Sequence, residues 1–307
     1  MSITALLNED IHGEHAAIIQ YLLHAYAIGE SDIACEIEAI AREEMRHLKW
    51  LAERIVELGG EPSLERGPVD TSGETPAEWM ARDILAEEQA IALYRQHLAA
   101  IEDPEVRLLL ERIVNDEEVH RAKFAKLAEE LAAEGRTAVG PIRPEQATAG
   151  PSRALEILLQ GIQHEYTVIL QYLYHAFTTP HCEIADELEW QAISEMQHMG
   201  WFAEEMASRG AFPAMEHTPF DRSRDTARML QADIAAERAV TKDYNAQIED
   251  LKRAGETDLV ALLSRVRDHE VYHDAVFSKL LKGIPPTEPT GPRPGWTVGS
   301  LHGQKQE

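Results

Sequence analysis

Cysteine is nearly absent: Cys35 and Cys182 are the only two in 307 residues. That number excludes a disulfide framework, a four-cysteine zinc site and a rubredoxin-type iron site, so the thiols are read as buried or idle. Basic residues are scarce as well, with 29 Lys and Arg against 54 Asp and Glu, which leaves a formal charge of −25. Nucleic acids and anionic membranes are recognised by clustered Lys and Arg, so neither is expected as a main partner. Cations are the more natural guests. No apolar run approaches the ~20 residues that span a bilayer. The opening MSITALLNEDI lacks the basic region and long apolar stretch of a signal peptide. A cytoplasmic protein is expected. At ~100–200 residues per domain the length suggests two domains, and 44% hydrophobic residues is enough for a core in each.

What is abundant is self-similarity. EHAAIIQYLLHA at 14–25 is answered by EYTVILQYLYHA at 165–176, and EEMRHLKWLAE at 43–53 by SEMQHMGWFAE at 194–204, both at an offset of 151. LAEEQAIALYRQHL is answered by IAAERAVTKDYNAQI at an offset of 150, and NDEEVH by RDHEVYH at 153. The chain is a tandem duplication. The cysteines do not follow it, since the position matching Cys35 is Asp186. Between the copies, AAEGRTAVGPIRPEQATAGPSR carries Pro and Gly and no helical stripe. Beyond Leu281, five prolines and two glycines up to Pro294 rule out a continuing helix. The expected organisation is a bundle over 1–134, a linker over 135–152, a second bundle over 153–282 and a flexible tail over 283–307.

Each copy reads as four amphipathic helices. Leu7, Ile11, Glu14, Ile18 and Tyr21 form the first stripe, and Ile33, Ile37, Ile40, Glu44, His47 and Leu51 the second. The third runs Met80, Ile84, Glu87, Ile91, Tyr94 and Leu98, and the fourth Val106, Leu110, Ile113, Glu117, His120, Phe124 and Leu127. Copy two gives Leu158, Ile162, Glu165, Ile169, Tyr172, then Ile184, Leu188, Gln191, Glu195, His198, Phe202. Its last two stripes are Leu230, Ile234, Glu237, Thr241, Tyr244 and Leu263, Val266, Glu270, His273, Phe277. Every helix therefore brings one Glu inward, and two per copy add a His one turn later. Thr75, Pro76 and Glu78 signal a capped start for the third helix, and Asp103 with Pro104 a start for the fourth. The long stretches between second and third helices can cross a bundle end to end. The fold class is all-α, two tandem four-helix bundles.

Four acids in one core require a cation. A buried unpaired carboxylate costs several kcal/mol even after relaxation, and no stripe holds a compensating Lys or Arg. Two divalent metals cancel four carboxylates and leave two neutral imidazoles as nitrogen ligands. In Glu-x-x-His the side chains lie about 5–6 Å apart on one helix face, so both can address one metal. A single Glu or His in such a stripe is more often a hydrogen-bonded core group. Six positions at matched spacing in both copies are not accounted for in that way.

Through EHAAIIQYLLHA, EEMRH, the Glu87 to Tyr94 segment and DEEVH, the chain resembles the ferritin-like superfamily, most closely its bacterioferritin branch, across almost the whole of both copies. The resemblance implies that Glu14 and Glu87 are terminal ligands, Glu44 and Glu117 bridging carboxylates, and His47 and His120 terminal nitrogens. In copy two the same roles fall on Glu165 and Glu237, Glu195 and Glu270, and His198 and His273. It also implies iron, with oxygen or peroxide oxidising Fe(II) at the pair, so that all twelve are catalytic as well as metal ligands. Family members that build closed cages usually carry a fifth short helix, which the Pro/Gly tail replaces here. Autonomous storage in a self-built cage is thus not expected, while a homo-oligomer stays open.

Tyr21, Tyr94, Tyr172 and Tyr244 each follow a lone ligand Glu by seven residues. They either hydrogen-bond or relay electrons at the site, or simply fill the core beneath it. His24 and His175 also match between copies and are read as structural hydrogen-bonding groups. Met45 and Met196 stand where bacterioferritins ligate haem between two subunits, a dimer that fused copies could re-create, although an interface-packing Met is the commoner use. At the end of the chain, Trp296, Thr297, Val298, Gly299, Ser300 and Leu301 follow a Pro-rich tether and resemble the cargo-loading peptides that dock inside encapsulin shells. The reading is a tandem di-iron ferroxidase packaged in an encapsulin compartment. The rivals are a di-iron oxidase, peroxidase or oxygenase acting on a non-iron substrate, and a non-catalytic bundle holding metal for stability. The last is disfavoured because an apolar core would serve stability better than four buried acids.

Overall fold

The computed structural model describes residues 2–134 and 152–284. Among these residues it contains eight helices and no strand. In copy one they are α1 (Ile3–Ile28), α2 (Asp32–Glu57), α3 (Pro76–Ala100) and α4 (Pro104–Glu134). In copy two they are α5 (Arg153–Thr178), α6 (Cys182–Ser208), α7 (Thr226–Ala254) and α8 (Thr257–Gly283). The expected linker, apart from Ser152, and the tail beyond Ile284 lie outside the described residues.

Local chemistry sets the helix ends. Ser2, Ser31, Ser152 and Asp225 accept backbone N–H bonds in the first turns of α1, α2, α5 and α7, each cap worth about 1 kcal/mol. Thr75 and Glu78 form a complete capping box with Pro76 in the first turn of α3. Asp103 accepts from the backbone N–H of Val106 at the start of α4. Helix α8 continues two residues past Leu281, to Gly283, because the first proline is Pro285 and restricts only the residue before it. Ile284 accordingly leaves the helical conformation, with ψ 125°.

In each copy the two hairpins pack into one bundle, α1 on α2 and α3, α5 on α6 and α7. The long crossover after α2 runs back along α1: Ser63 N–H donates to Asn8 Oδ1 at 2.7 Å and Asp70 N–H to Gln20 Oε1 at 2.9 Å. Gly67 N–H donates to the carbonyl of His12 at 3.0 Å, and a Cβ on Gly67 would stand 2.9 Å from that oxygen, so only glycine permits the approach. In copy two Thr218 holds the matching place by donating its N–H to Thr167 Oγ1 at 3.0 Å.

The copies pack on each other through α1 against α6 and α2 against α5, and buried side chains of both join in one cluster, while a second cluster around Tyr172, Leu188 and Phe277 belongs to copy two alone. Polar groups seal this contact. Lys49 donates to Glu189 at 2.6 Å, Arg66 to the carbonyl of Met215 at 2.6 Å, and Tyr174 to Glu61 at 2.9 Å. Tyr166 and His15, which occupy the same position in the two copies, meet with Oη and Nε2 2.5 Å apart. His15 Nδ1 lies 3.0 Å from the carbonyl of Leu64, which can only accept, so the ring proton sits on Nδ1 and Nε2 accepts from the tyrosine. Burial, reinforced by Arg66, lowers the His15 pKa to about 3 and keeps the ring neutral.

Candidate metal centres

Every Glu and His singled out from the stripes is buried, and the helices gather them into two clusters of six. In copy one, Glu14 comes from α1, Glu44 and His47 from α2, Glu87 from α3, and Glu117 and His120 from α4. They form two overlapping groups, Glu14, Glu44, His47, Glu117 and Glu44, Glu87, Glu117, His120, each with ligand atoms within 4.8 Å of one another. Glu44 and Glu117 belong to both groups. Copy two repeats the pattern with Glu165, Glu195, His198, Glu270 and Glu195, Glu237, Glu270, His273.

All four imidazoles present Nδ1 to the carboxylates. His47 Nδ1 is 2.8 Å from Glu44, 3.1 Å from Glu117 and 3.5 Å from Glu14. His120 Nδ1 is 2.8 Å from Glu44 and 3.2 Å from Glu117. His198 Nδ1 is 2.7 Å from Glu195 and 3.1 Å from Glu270, and His273 Nδ1 is 2.7 Å from Glu195 and 3.3 Å from Glu270. The Glu-x-x-His spacing is what lets the two side chains of one helix converge.

Without a cation such a cluster must hold protons. Burial alone would depress the imidazoles, yet hydrogen bonds to the surrounding carboxylates raise His120 to about 10 and His198 to about 12, and lift His47 and His273 in the same direction. Burial together with neighbouring carboxylates raises Glu14 and Glu87 well above the usual range. Glu117 instead falls to about 2: burial opposes ionisation, but hydrogen bonds from His120 and His47 outweigh it. Burial raises Glu237 to about 8 in spite of a hydrogen bond from His273. Inward-facing oxygens are still left without hydrogen bonds, among them Glu165 Oε2 and Glu237 Oε2.

The four tyrosines hydrogen-bond the clusters. Tyr21 donates to Glu87 at 2.7 Å, Tyr94 donates to Glu14, Tyr172 to Glu237 and Tyr244 to Glu165. Burial, followed by the neighbouring carboxylates, raises the phenol pKa in each case, so all four remain donors. They also fill the core: Tyr21 packs on Phe124 with ring centroids 4.7 Å apart.

His24 and His175 stand apart from the clusters. His24 Nδ1 lies 2.9 Å from Asp83, and His175 Nδ1 3.0 Å from Asp233, with Gln20 and Gln171 donating to the same aspartates. Reading the stripes alone missed these aspartates. Their signal was recurrence, four residues before Glu87 and Glu237. Stripes also missed the residues behind the imidazoles, Asp116 and Glu43 in copy one and His269 in copy two. Met45 and Met196 are half-buried and pack against the shared core. Cys35 is exposed, so it is not a buried thiol, and neither cysteine is in a disulfide.

A family profile described as "Ferritin-like domain" matches this chain twice, over residues 4–133 and 155–285. The bacterioferritin of Desulfovibrio desulfuricans is 31% identical over 152 residues, covering 47% of this chain and 84% of that protein. Bacterioferritin BfrA of Mycobacterium tuberculosis is 32% identical over 121 residues, covering 38% of this chain and 76% of that protein. A solved structure of the Desulfovibrio desulfuricans bacterioferritin, described by its di-iron site in different catalytic states, aligns with 43% of this chain and 81% of its own at a TM-score of 0.41 and 31% identity.

Proposed function

The chain belongs to the ferritin-like domain family in two tandem copies, and from that membership we propose that it is a ferroxidase with one di-iron centre in each copy. The observation that carries this reading is the pair of six-residue clusters, each built from four buried carboxylates and two imidazoles whose Nδ1 atoms face them. The donor set fits two divalent cations by charge, and the oxygens left without hydrogen bonds are the atoms a cation would satisfy. Glu44 and Glu117, shared by both groups of their cluster, would touch both ions, as would Glu195 and Glu270. Glu14 with His47 and Glu87 with His120 would each complete one ion, and in copy two Glu165 with His198 and Glu237 with His273.

Iron held by these residues would supply the redox chemistry, the oxidation of Fe(II) by oxygen or peroxide in the service of iron sequestration or detoxification. The protein's part is to bind, orient and neutralise. The tyrosines fix the carboxylates of Glu14, Glu87, Glu165 and Glu237, and the imidazoles give up the protons that hold the metal-free cluster together. The double variant Glu44→Ala with Glu195→Ala should lose rapid Fe(II) oxidation while its helical circular dichroism survives. Undiminished oxidation in that variant would remove these residues from the mechanism.

The reading extends to packaging. Residues 296–301 lie outside the described residues, and support comes from sequence alone: Val298 and Leu301 are two apolar anchors around Gly299 and Ser300, behind a Pro-rich tether. Such a segment suits capture in a groove on an encapsulin inner wall, placing the chain in a cytoplasmic nanocompartment that provides storage volume. No helix among the described residues is long and apolar enough to cross a membrane.

A further inference from the structure

The two clusters share their inner residues but not what stands behind them. In copy one, His47 Nε2 faces Asp116 at 3.5 Å and His120 Nε2 faces Glu43 at 2.7 Å. In copy two the position of Asp116 is taken by His269, whose Nδ1 lies 2.8 Å from His198 Nε2. The position of Glu43 is taken by Ser194, and among the described residues His273 Nε2 has no hydrogen bond. The duplication has kept twelve inner residues and exchanged both outer ones.

An outer carboxylate only accepts a hydrogen bond. It therefore places the imidazole proton on Nε2, leaves the Nδ1 lone pair facing the cluster, and makes that nitrogen a stronger donor to a metal. An imidazole partner lacks this direction. His269 can accept from His198 Nε2, or it can donate to it and force the His198 proton onto Nδ1, where it opposes a metal. Asp116 and Glu43 also add two negative charges near the first cluster, partly offset at Glu43 by Arg46 at 3.5 Å and Lys123 at 3.9 Å. His269 and Ser194 add none. Partners of this kind are worth about 10–100-fold in metal affinity.

We propose that the two centres are unequal, the copy-one centre backed by Asp116 and Glu43 binding divalent metal at least about ten-fold more tightly than the copy-two centre backed by His269 and Ser194. The inference rests on the twin-centre reading above. The chain thus fills in order, holding metal in copy one while copy two exchanges it.

Anaerobic Co(II) titration, followed by d–d absorption and calorimetry, tests this without turnover. In the intact chain, two phases of unequal affinity are expected, each of two ions. Glu195→Ala with Glu270→Ala isolates copy one, and Glu44→Ala with Glu117→Ala isolates copy two; the first of these chains should bind at least about ten-fold more tightly. Adding Ser194→Glu and His269→Asp to the copy-two chain should tighten it, and adding Glu43→Ser and Asp116→His to the copy-one chain should weaken it. One phase of four equivalent ions, tighter binding by copy two, or exchanges that leave affinity unmoved would overturn the inequality while leaving the twin-centre reading intact. No Co(II) binding by the intact chain would overturn that reading, and the inequality with it.

Discussion

Tyr94, on the third helix, donates its hydroxyl to Glu14 on the first, while Tyr21, two turns beyond Glu14, donates to Glu87, two turns before Tyr94. The exchange is reciprocal because α1 and α3 run antiparallel, so that each helix supplies one Glu to the cluster and one Tyr to the other's Glu. Tyr244 with Glu165 and Tyr172 with Glu237 repeat it in copy two.

This reciprocity predicts the effect of removing one hydroxyl. Tyr94→Phe keeps the ring in the core and deletes the donor, so the bundle should stay folded while Glu14 loses its orientation. Metal affinity at the copy-one centre should fall by about ten-fold or more, with copy two unaffected. Co(II) titration of Tyr94→Phe in a chain lacking the copy-two ligands measures it, and an unchanged affinity would make the tyrosine a core filler only.

Metal uptake should release protons. His120 at about 10 and His198 at about 12 are protonated near neutrality in the metal-free clusters, because hydrogen bonds to carboxylates overcome the burial that would lower them. A metal that takes Nδ1 must displace that proton, so affinity rises with pH and falls as the solution is acidified. Calorimetry in buffers of different ionisation enthalpy should give a positive proton release per ion. No release would mean that the imidazoles are neutral before binding.

Much of this architecture was legible in the chain itself. The steps of three and four residues located the stripes, and Glu44, His47, Glu117 and His120 stood out because an acid or imidazole interrupted an apolar face at the same place twice. Groups that look outward from the ligands or lie off the stripe were harder to see. Glu43 and Asp116 sit on the half-exposed side of their helices, where acids are ordinary in so acidic a chain, and only the fold turns them toward His120 and His47. Asp83 sits four residues before Glu87, yet a single acid beside an apolar stripe is ordinary, and only the fold brings Gln20 and His24 to it from another helix. The Tyr166 to His15 contact depends on how the copies pack, which no single-helix pattern contains.

Two helical glycines should respond oppositely to the same substitution. Gly13 is exposed with nothing within 4 Å of an added Cβ, so Gly13→Ala should stabilise the chain by about 0.5–1 kcal/mol. A Cβ on Gly161 would lie 2.7 Å from the Phe202 ring, and overpacking of about 1–3 kcal/mol would cancel or exceed the helix gain. Thermal unfolding of the metal-free variants decides it, and equal shifts in the same direction would contradict the packing around Phe202.

Deleting residues 296–302 should abolish loading into an encapsulin shell and leave iron oxidation in solution intact, since all twelve cluster residues lie at or before His273. Val298→Asp with Leu301→Asp should weaken loading similarly by placing charge in an apolar groove. Co-expression with a shell protein, followed by size exclusion and peptide mapping, reads the outcome. Equal loading of truncated and full-length chains would leave the tail without a docking role.

The most direct measurement of the central claim is the iron content of the intact chain after anaerobic Fe(II) titration. Two clusters of four carboxylates and two imidazoles predict saturation at four Fe(II) per chain, two per copy, with rapid oxidation once oxygen is admitted. Saturation at two or fewer would contradict the twin-centre account.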